Sequence, residues 1–353
     1  MSRIKSNFWS GKKVLVTGHT GFKGTWLSMW LMDLGAIVSG ISQPDSYEQT
    51  ISQDLNLKLN GKEFYFDVSN RNRVTTAINS LSPDIIFHLA AQASVLKGYE
   101  NPDLTWKTNF IGSLNVLEGI KTLTNKVACI YVTTDKVYLN DNSGKSFTEA
   151  DPLGGTDPYS ASKVMAEQLL LHFQKNSYSD MPHIRICAAR AGNVIGGGDW
   201  LFDRLFPDVI RAVRDSEILK VRHPESIRPW QHVLDPLFGY LKLAETLFLS
   251  NGENTVTAMN FGNSGLSLTV REMIETVSEK MSFDFEEIDS DTSSQIEKGK
   301  LLLNSSFAQK EIGWSPRISQ LDAINLSIDW YSRFLNGESM KEFTLSQIRN
   351  YKQ

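Results

Sequence analysis

The sequence is poor in the features that mark several classes of protein. It has only two cysteines in 353 residues, Cys129 and Cys187, and both lie in strand-like apolar runs, which predicts buried free thiols and argues against a metal site. No apolar run approaches the ~20 residues that a membrane span requires. The first residues lack the apolar core of a signal peptide. We therefore expect a cytoplasmic protein with no membrane partner.

A strong charge of either sign is also missing. The chain has 36 lysines and arginines against 40 aspartates and glutamates, a net charge of −4. Because no block of basic residues stands out, nothing indicates a nucleic-acid partner. The 41 % of hydrophobic and 22 % of charged residues are typical of a soluble globular protein, and the length fits one large domain or two closely joined ones.

Strand-like and helix-like segments alternate through the first half of the chain, with apolar runs at 14–16, 84–89 and 127–133 and a helical pattern at 157–175. Such alternation predicts an α/β fold, a Rossmann-type doubly wound parallel sheet. We expect this domain to span residues 1–190 and to receive a returning strand near 256–261. Residues 191–255 and 262–353 are then expected to form a smaller α/β C-terminal substrate-binding region.

A glycine-rich loop follows the first apolar run, in the segment VLVTGHTGFKG. Gly18 can adopt the backbone angles of a tight turn, Gly21 leaves the backbone open to a pyrophosphate, and Gly24 lets the next helix pack close to the strand. The helix N-terminus then offers free N–H groups to phosphate. The alternative is a tight turn without a ligand. His19, inside the loop, either touches a cofactor or packs within the turn.

Tyr159 and Lys163 lie four residues apart on the predicted helix PYSASKVMAEQLL, so they share one face. A lysine ammonium beside the phenol is expected to lower its pKa from about 10 toward neutrality. The phenolate could then accept a hydroxyl proton while a hydride leaves for nicotinamide. The alternative is an accidental pair on a solvated helix face.

A polar segment, Thr133 to Lys136, ends the strand-like run VACIYVT. A threonine hydroxyl could hold a substrate oxygen beside Tyr159, and the Asp135 carboxyl could protonate a departing hydroxyl. Lys136 could take a carbon-bound proton if its pKa is lowered. The alternative is an ordinary polar loop.

Several motifs resemble the extended short-chain dehydrogenase/reductase superfamily: TGHTGFKG, HLAAQ at 88–92, TTDKVY at 133–138 and PYSASK at 158–163. The segments RAGNVIGGGDW at 190–200 and IRPWQHV at 227–233 narrow the resemblance to the branch of sugar-nucleotide 4,6-dehydratases that acts on CDP-glucose. The resemblance covers nearly the whole chain. It implies a tightly held NAD, a nucleotide-sugar substrate, a homodimer, and a role in bacterial surface-polysaccharide synthesis.

The resemblance also implies a reaction. Tyr159 deprotonates the sugar O4, with Thr134 beside it, and a hydride passes from C4 to NAD. Water is lost across C5 and C6, with Asp135 as general acid at O6 and Lys136 as the candidate base at C5. The hydride then returns to C6, which gives a 4-keto-6-deoxy sugar and restores NAD.

Binding roles follow from the same motifs. The residues expected at the cofactor are Gly18, His19, Gly21, Phe22, Lys23, Gly24, Asp67, Val68, Leu89, Ala90, Ala91, Gln92, Asn109, Thr133, Tyr159 and Lys163. Asn109 stands where the superfamily keeps a helix asparagine that supports the active site. Those expected at the substrate are Asn193, Asp199, Arg204, Arg228 and His232; the alternative for His232, as for Trp200 and Trp230, is a framework role. No metal is implied.

Two departures keep alternatives open. Ser42 and Gln43 follow the second predicted strand where NAD enzymes of this fold often carry an acid, which, with Lys23 in the loop, leaves NADP open, although we expect NAD. The segment ASVLKGY at 93–99 also differs from the pattern expected for the branch. The alternative functions are a dehydratase of a GDP-, UDP- or dTDP-linked sugar, an epimerase or reductase of the superfamily, and an NAD-binding sensor or scaffold.

Overall fold

The strands of the computed structural model, which describes residues 6–44, 49–141, 143–251, 256–263, 267–288 and 301–352, build one central sheet and several small ribbons. In chain order they are β1 (Lys13–Thr17), β2 (Ile37–Ser42), β3 (Glu63–Tyr65), β4 (Ile85–His88), β5 (Val127–Val132), β6 (Ser146–Phe147), β7 (Ile184–Ala191), β8 (Val194–Ile195), β9 (Leu219–Val221), β10 (Ile227–Arg228), β11 (Gln231–His232), β12 (Ala258–Phe261), β13 (Leu268–Thr269), β14 (Phe285–Glu287) and β15 (Leu302–Leu303).

The helices cover both faces of the central sheet. They are α1 (Ser6–Trp9), α2 (Phe22–Asp33), α3 (Ile51–Asp54), α4 (Arg71–Leu81), α5 (Val95–Glu100), α6 (Pro102–Trp106), α7 (Gly112–Ile120), α8 (Pro158–His172), α9 (Leu205–Asp215), α10 (Leu234–Leu249), α11 (Val270–Ser278), α12 (Ser306–Ile312), α13 (Gln320–Leu335) and α14 (Met340–Lys352). A π-helical stretch, Lys107–Ile111, joins α6 to α7, another, Phe173–Ser177, extends α8, and a 3₁₀ turn, Asp135–Val137, follows β5.

The central sheet has the order β12-β7-β5-β4-β1-β2-β3 among the described residues, and every neighbouring pair is parallel. Successive strand residues point to opposite faces. Val14 and Val16 therefore join the core that contains α2 and α10, whereas Leu15 joins the core beneath α4 and α7. Burial on both faces explains why the strands are apolar runs, and the predicted Rossmann-type sheet is confirmed.

The strand order reverses beside β1, which pairs with β2 on one side and β4 on the other. Loops from these strands diverge at their carboxyl ends and leave a crevice there, the usual ligand position in open parallel sheets. β12 pairs with β7 on the far edge, from Ala258 opposite Ala188 to Phe261 opposite Ala191. The division of the chain into two domains stays a prediction.

Two further observations concern the cysteines and the helices. Cys129 and Cys187 are buried free thiols, as predicted. Within the described ranges, the structure contains no helix with the length and apolarity needed to cross a bilayer.

The C-terminal helix α14 is anchored to the core at the foot of α2. Arg349 and Lys352 form ion pairs with Asp33, the last residue of α2. The Tyr351 hydroxyl donates to the buried carboxylate of Asp235 over 2.7 Å, and the Arg317 backbone N–H donates to the same carboxylate over 2.8 Å. Burial raises the pKa of Asp235 to about 6, because it disfavours the charged carboxylate. The Tyr351 hydroxyl of α14 stabilises that charged form.

We expect Tyr351→Phe to lower the free energy of unfolding by about 1.5–3 kcal/mol at pH 8, the usual loss for a hydrogen bond to a charged group. The folded pKa of Asp235, about 6, lies above the unfolded value near 3.9. Between these two pKa values only the unfolded chain has lost the proton, so stability falls as the pH rises from about 4 to about 6 and is level above that. The variant should lose more at pH 8, where the folded carboxylate is charged, than at pH 5. Urea denaturation at both pH values measures the difference.

The matched control is Tyr65→Phe, which removes a 2.6 Å hydrogen bond from an exposed tyrosine to Glu63. An exposed pair of this kind contributes little. Equal midpoints for the two variants at pH 8 would show that Tyr351 does not anchor α14.

Candidate active site

A cavity of about 960 Å³ opens at the carboxyl ends of β1, β4 and β5. Its walls come from the glycine loop, from the ends of β2 and β4, from the N-terminal turns of α8, and from the segments 191–208 and 220–230. The space is large enough for a ligand of several rings. Most of the site residues predicted from the sequence line it.

The glycine loop brings the start of α2 against the end of β1. Gly18 has φ +75° and its N–H donates to the Ile41 carbonyl over 2.6 Å. A Cβ on Gly24 would lie 2.0 Å from the Gly18 carbonyl oxygen, whereas a Cβ on Gly21 would lie 3.4 Å from the same atom. Gly21 is the N-cap of α2 and provides no side-chain cap, so the first N–H groups of the helix remain available to an anion.

His19 turns away from the cavity and packs against β2. Its Nδ1 lies 3.0 Å from the Ser42 hydroxyl, and its Nε2 lies 3.5 Å from Glu63. A Cβ on Gly40 would lie 2.3 Å from His19 Nδ1, so Gly40 provides the room that the ring occupies. Burial lowers the pKa of His19. The His19 side chain therefore packs within the turn, one of the two alternatives that the sequence leaves open.

Two other predicted cofactor residues stand behind the cavity wall instead of in it. Asp67 accepts hydrogen bonds from the Gln43 amide at 2.6 Å and from the Ser69 N–H at 2.7 Å, and Gln43 and Val68 line the cavity in its place. Asn109 is buried; its side chain accepts from the Gln92 N–H at 2.8 Å and donates to the Gln92 carbonyl at 3.0 Å. Both residues orient wall residues and are not themselves wall residues.

The remaining predicted cofactor residues do line the cavity: Gly18, Gly21, Phe22, Lys23, Gly24, Val68, Leu89, Ala90, Ala91, Gln92, Thr133, Tyr159 and Lys163. Lys23 extends from the loop toward charged groups that the sequence could not associate with it. Burial, with the nearby charge of Arg204, lowers the pKa of Lys23 to about 7.

Tyr159 and Lys163 share one face of α8, as predicted. α8 begins where the sequence indicates, since Asp157 caps it by accepting from the Ser160 N–H at 2.9 Å and Pro158 takes the first helical position. The Lys163 ammonium donates to the Val132 carbonyl over 3.2 Å, and burial lowers its pKa to about 8. The helix thus delivers both groups to the end of β5.

The predicted fall in the phenol pKa is not observed. Burial raises the pKa of Tyr159 to about 12, and the Thr134 hydrogen bond and the charge of Arg204 oppose that rise only in part. The spacing of Tyr159 and Lys163 correctly indicated a shared face, but it carried no information about how deeply the phenol is buried. Desolvation of the phenolate outweighs the cationic charges near it.

The Thr133–Lys136 segment lines the cavity beside Tyr159. The Thr134 hydroxyl donates to Asp135 over 2.9 Å, and Asp135 is buried. Lys136 is exposed, and its backbone N–H donates to the Thr134 hydroxyl. The arrangement places a carboxyl group within the cavity wall and a lysine at its rim.

Gly192 is a site residue that sequence reasoning missed. A Cβ at this position would lie 1.9 Å from Asp135 Oδ2, so glycine provides the space for the carboxylate. The only signal in the sequence is the glycine in the motif RAGN after the β7 run.

The predicted substrate residues separate into two groups. Asn193, Asp199, Arg204 and Arg228 line the cavity, and Arg204 pairs with Asp199 over 2.7 Å. His232 does not: it is fully buried, its ring packs edge-on against Trp26, and burial lowers its pKa to about 3. His232 therefore lies in the core, in the framework role that the sequence leaves open for it.

A basic segment that sequence reasoning did not single out also lines the cavity. Lys220, Arg222 and His223, from β9 and the residues after it, join Arg228 on the wall formed by the second half of the chain. They are visible in the sequence only as the short run KVRH, which is too short to stand out as a charged block. Together these groups make this end of the cavity suited to a phosphate-bearing ligand.

Comparisons with known proteins agree with this geometry. A family model described as GDP-mannose 4,6 dehydratase matches residues 15–325. The chain is 35 % identical over 353 residues to a CDP-glucose 4,6-dehydratase from Salmonella typhimurium (strain LT2), in an alignment that covers 99 % of this chain and 98 % of that protein.

Solved structures show the same fold. A UDP-glucose 4-epimerase from Thermus thermophilus, in complex with NAD, superposes with a TM-score of 0.77 at 23 % identity and covers 90 % of this chain and 98 % of its own. A double mutant of a dTDP-glucose 4,6-dehydratase from Streptomyces venezuelae, with NAD bound, gives 0.76 at 20 % identity over 92 % and 98 % of the two chains.

We expect Gly24→Ala to lower the free energy of unfolding by at least about 2 kcal/mol, because its Cβ meets a backbone oxygen that no side-chain rotation can relieve. Gly21→Ala is the matched control, since its Cβ makes an ordinary contact at 3.4 Å. Thermal denaturation of both variants measures the effect. A Gly24→Ala midpoint equal to that of Gly21→Ala would refute the close approach described above.

Proposed function

The chain belongs to the GDP-mannose 4,6-dehydratase family, and on that premise we propose that it is a hydro-lyase that converts CDP-glucose to CDP-4-keto-6-deoxyglucose with internal recycling of NAD. The observation that carries the proposal is the buried Asp135 carboxyl, hydrogen-bonded to Thr134 in the same cavity as Tyr159. An enzyme that only oxidised and reduced a sugar carbon would not require an acid at this position, because no hydroxyl would leave.

The choice of CDP-glucose rests on the relative from Salmonella typhimurium, because its similarity extends over 99 % of this chain. The basic wall formed by Lys220, Arg222 and Arg228 provides the charge that a nucleoside diphosphate requires. A uridine, guanosine or thymidine nucleotide would meet the same phosphate contacts, so the base, and not the diphosphate, distinguishes CDP-glucose from these competitors.

NAD fits the other half of the cavity. The uncapped start of α2 would hold its pyrophosphate, since Gly21 leaves that backbone open. Gln43 and Val68 would meet the adenosine end, and Ala90 to Gln92 with Lys163 would meet the nicotinamide ribose. When bound, NAD supplies the acceptor and later the donor of one hydride.

Tyr159 is proposed to accept the O4 proton of the sugar. When Asp135 carries the proton that it later gives, it donates to Thr134, and the Thr134 hydroxyl proton is then free to hold the same O4 oxygen. Because burial favours the neutral phenol, the phenolate depends on cations at the cavity, and Lys163 and Arg204 are the ones positioned there. The 4-keto group formed by oxidation makes the C5 proton acidic.

Elimination then uses the Thr133–Lys136 segment. Lys136 takes the C5 proton, and Asp135 gives its proton to the C6 hydroxyl, which leaves as water. Once the hydride is back at C6, Lys136 would return its proton to C5, and the proton that Tyr159 took from O4 would replace the one that Asp135 gave. The substrate would then have lost one water, and the three side chains would end as they began. The carboxyl and the amine are neighbours in sequence, which lets one turn present an acid and a base to adjacent carbons.

We also propose a cytoplasmic homodimer that works in bacterial surface-polysaccharide synthesis. Trp106, Ile111 and Met165 are 36 %, 37 % and 44 % exposed on the α6, π-helical and α8 surface, and large exposed apolar side chains there suit a second copy of the chain. Residues 1–190 with strand β12 are proposed to hold the cofactor, and the remaining region to hold the nucleotide sugar.

The direct test incubates the protein and NAD with CDP-glucose, GDP-mannose, UDP-glucose and dTDP-glucose in parallel. We expect CDP-glucose alone to give a product with the near-ultraviolet absorbance in base of a 4-keto-6-deoxy sugar, and no net NADH. Tyr159→Phe is expected to abolish hydride transfer. Turnover of another sugar nucleotide but not of CDP-glucose would disprove the substrate, whereas C4 epimerisation without loss of water would disprove the reaction.

The roles of Asp135 and Lys136 can be separated by one pair of variants. In Asp135→Asn, which keeps an oxygen for the Thr134 hydrogen bond, we expect turnover to fall by about 10²–10⁴-fold, the usual contribution of a general acid, while reduction of bound NAD stays measurable by its near-ultraviolet absorbance. Lys136→Met should slow elimination and also stop exchange of the C5 proton with deuterated water. If Asp135→Asn loses NAD reduction and elimination equally, its role as leaving-group acid is wrong.

A further inference from the structure

A buried ion pair lies directly behind the cavity wall. Glu167 is one helical turn after Lys163 on α8, and Arg190 is on β7 beside it. Arg190 Nε lies 3.0 Å from both Glu167 carboxylate oxygens, and a second guanidinium nitrogen lies 2.5 Å from Oε2. The side chains of Glu167 and Arg190 are 5 % and 4 % exposed, so neither reaches a ligand.

The pair is connected to the cavity through Thr133. The Thr133 hydroxyl donates to Glu167 Oε1 over 2.6 Å. Because a hydroxyl has one proton, this bond leaves only the lone pairs of the Thr133 oxygen for the cavity that the residue lines. The Lys163 ammonium donates to the carbonyl of Val132, the preceding residue. Glu167 therefore contacts the strand end that also holds Lys163.

A second connection runs away from the cavity. The Arg190 guanidinium donates to the Tyr138 hydroxyl over 2.7 Å, and that hydroxyl donates to Asn260 on β12 over 2.8 Å. The Asn260 amide donates to the Phe147 carbonyl at 3.0 Å. The pair thus has hydrogen-bond partners both toward the cavity and away from it, and these partners fix the orientation of both side chains.

The energy of such a pair does not explain its presence. Burying two charges carries a large desolvation cost, and apolar side chains of the same volume often give equal or greater stability. A buried pair whose carboxylate also orients a hydroxyl at a cavity is better explained by what it orients.

We propose that Glu167 and Arg190 form a positioning pair, which directs the Thr133 hydroxyl proton inward and holds a carboxylate behind the Lys163 ammonium. The effect on catalysis rests on the proposed function, whereas the effect on Lys163 does not. Neither residue is a catalytic residue, because neither touches substrate or cofactor.

The groups that face Lys163 set the direction of the expected effect. The charge of Lys163 acts on Lys23, beside the glycine loop, and on His88, on β4. Tyr159 and Glu167 share its helix, Asp135 lines the same cavity, and Arg190 pairs with Glu167. Burial lowers the pKa of Lys163, and the Glu167 charge opposes that fall. Glu167→Gln removes that opposition, so the Lys163 amine should lose its proton at a lower pH.

The first measurement needs neither substrate nor cofactor. Competitive acetylation of the full-length protein over a pH series, read by peptide mass spectrometry, reports the titration of the Lys163 amine. We expect Glu167→Gln to shift the midpoint down by about one unit, the usual effect of one nearby opposite charge. Glu167→Asp keeps the charge and should restore at least half of the shift. If Glu167→Gln does not fold, Glu167→Gln with Arg190→Met removes both charges and should give a smaller shift in the same direction.

Tyr138→Phe is the matched control, because it removes a buried hydrogen bond from the same network and changes no charge near Lys163. We expect it to lower the thermal midpoint and leave the Lys163 titration in place. A Lys163 midpoint that is the same in Glu167→Gln as in the unmodified protein, or that moves equally in Tyr138→Phe, would overturn the proposal.

The second measurement follows turnover of CDP-glucose against pH. Glu167→Gln should move the alkaline limb of kcat to lower pH by the same amount as the Lys163 titration, whereas a purely structural loss would lower kcat at every pH and leave the limb in place. An unmoved limb would limit the pair to orienting Thr133 and would overturn the charge part of the proposal. If no sugar nucleotide is turned over by the unmodified protein, the proposed function fails, and the acetylation result still decides the effect on Lys163.

Discussion

The close approach of two backbone segments, Gly18 and the first turn of α2, sets the position of nearly everything else in the site. With only 2.0 Å between the Gly18 carbonyl oxygen and the place of a Cβ on Gly24, the helix start is pressed against the end of β1. The other end of α2 is tied down by Asp33 and the C-terminal helix. The Trp26 indole N–H donates to the Gly197 carbonyl over 3.0 Å, so the same helix also holds the glycine-rich segment of the second half of the chain.

Close packing around this segment, GGGDW, explains its glycines. A Cβ on Gly197 would lie 2.0 Å from the Trp330 ring, and one on Gly198 would lie 2.4 Å from Ile51. The segment passes between α13 and α3 with no room for side chains, and it ends at Trp200, whose indole N–H donates to Asp54 over 2.7 Å. The wall that carries Asp199 and Arg204 is therefore positioned by packing against α3 and α13. The placement of these two charged side chains depends on those core contacts.

The sequence predicted the parts of the molecule that follow from local pattern. The β strands are apolar runs because both faces of the sheet are covered, and α8 starts at its cap and proline. Local sequence pattern does not predict how deeply a side chain is buried. The sequence leaves a packing role open for His19 and His232, and only the fold shows both side chains buried. Asn109 is also buried and holds the wall residue Gln92. The spacing of Tyr159 and Lys163 gave their shared face but not the desolvation that raises the pKa of Tyr159 to about 12. Glu167 was unremarkable in the sequence, since only the fold brings Arg190 and Thr133 to it.

The cavity collects more positive than negative groups, and burial lowers the pKa of two of its lysines. Lys23 and Lys163 have pKa values lowered to about 7 and about 8, mainly by burial, and the charges of Arg204 and Lys163 add to the effect at Lys23. An anionic diphosphate entering such a cavity stabilises the ammonium forms, so binding and proton uptake are thermodynamically linked. Burial disfavours the charged form of a lysine when no anion is near. The same burial strengthens the attraction between the ammonium and a phosphate, because water no longer screens the pair. A carboxylate behind Lys163, held by Arg190, keeps that amine closer to its charged form before any ligand arrives.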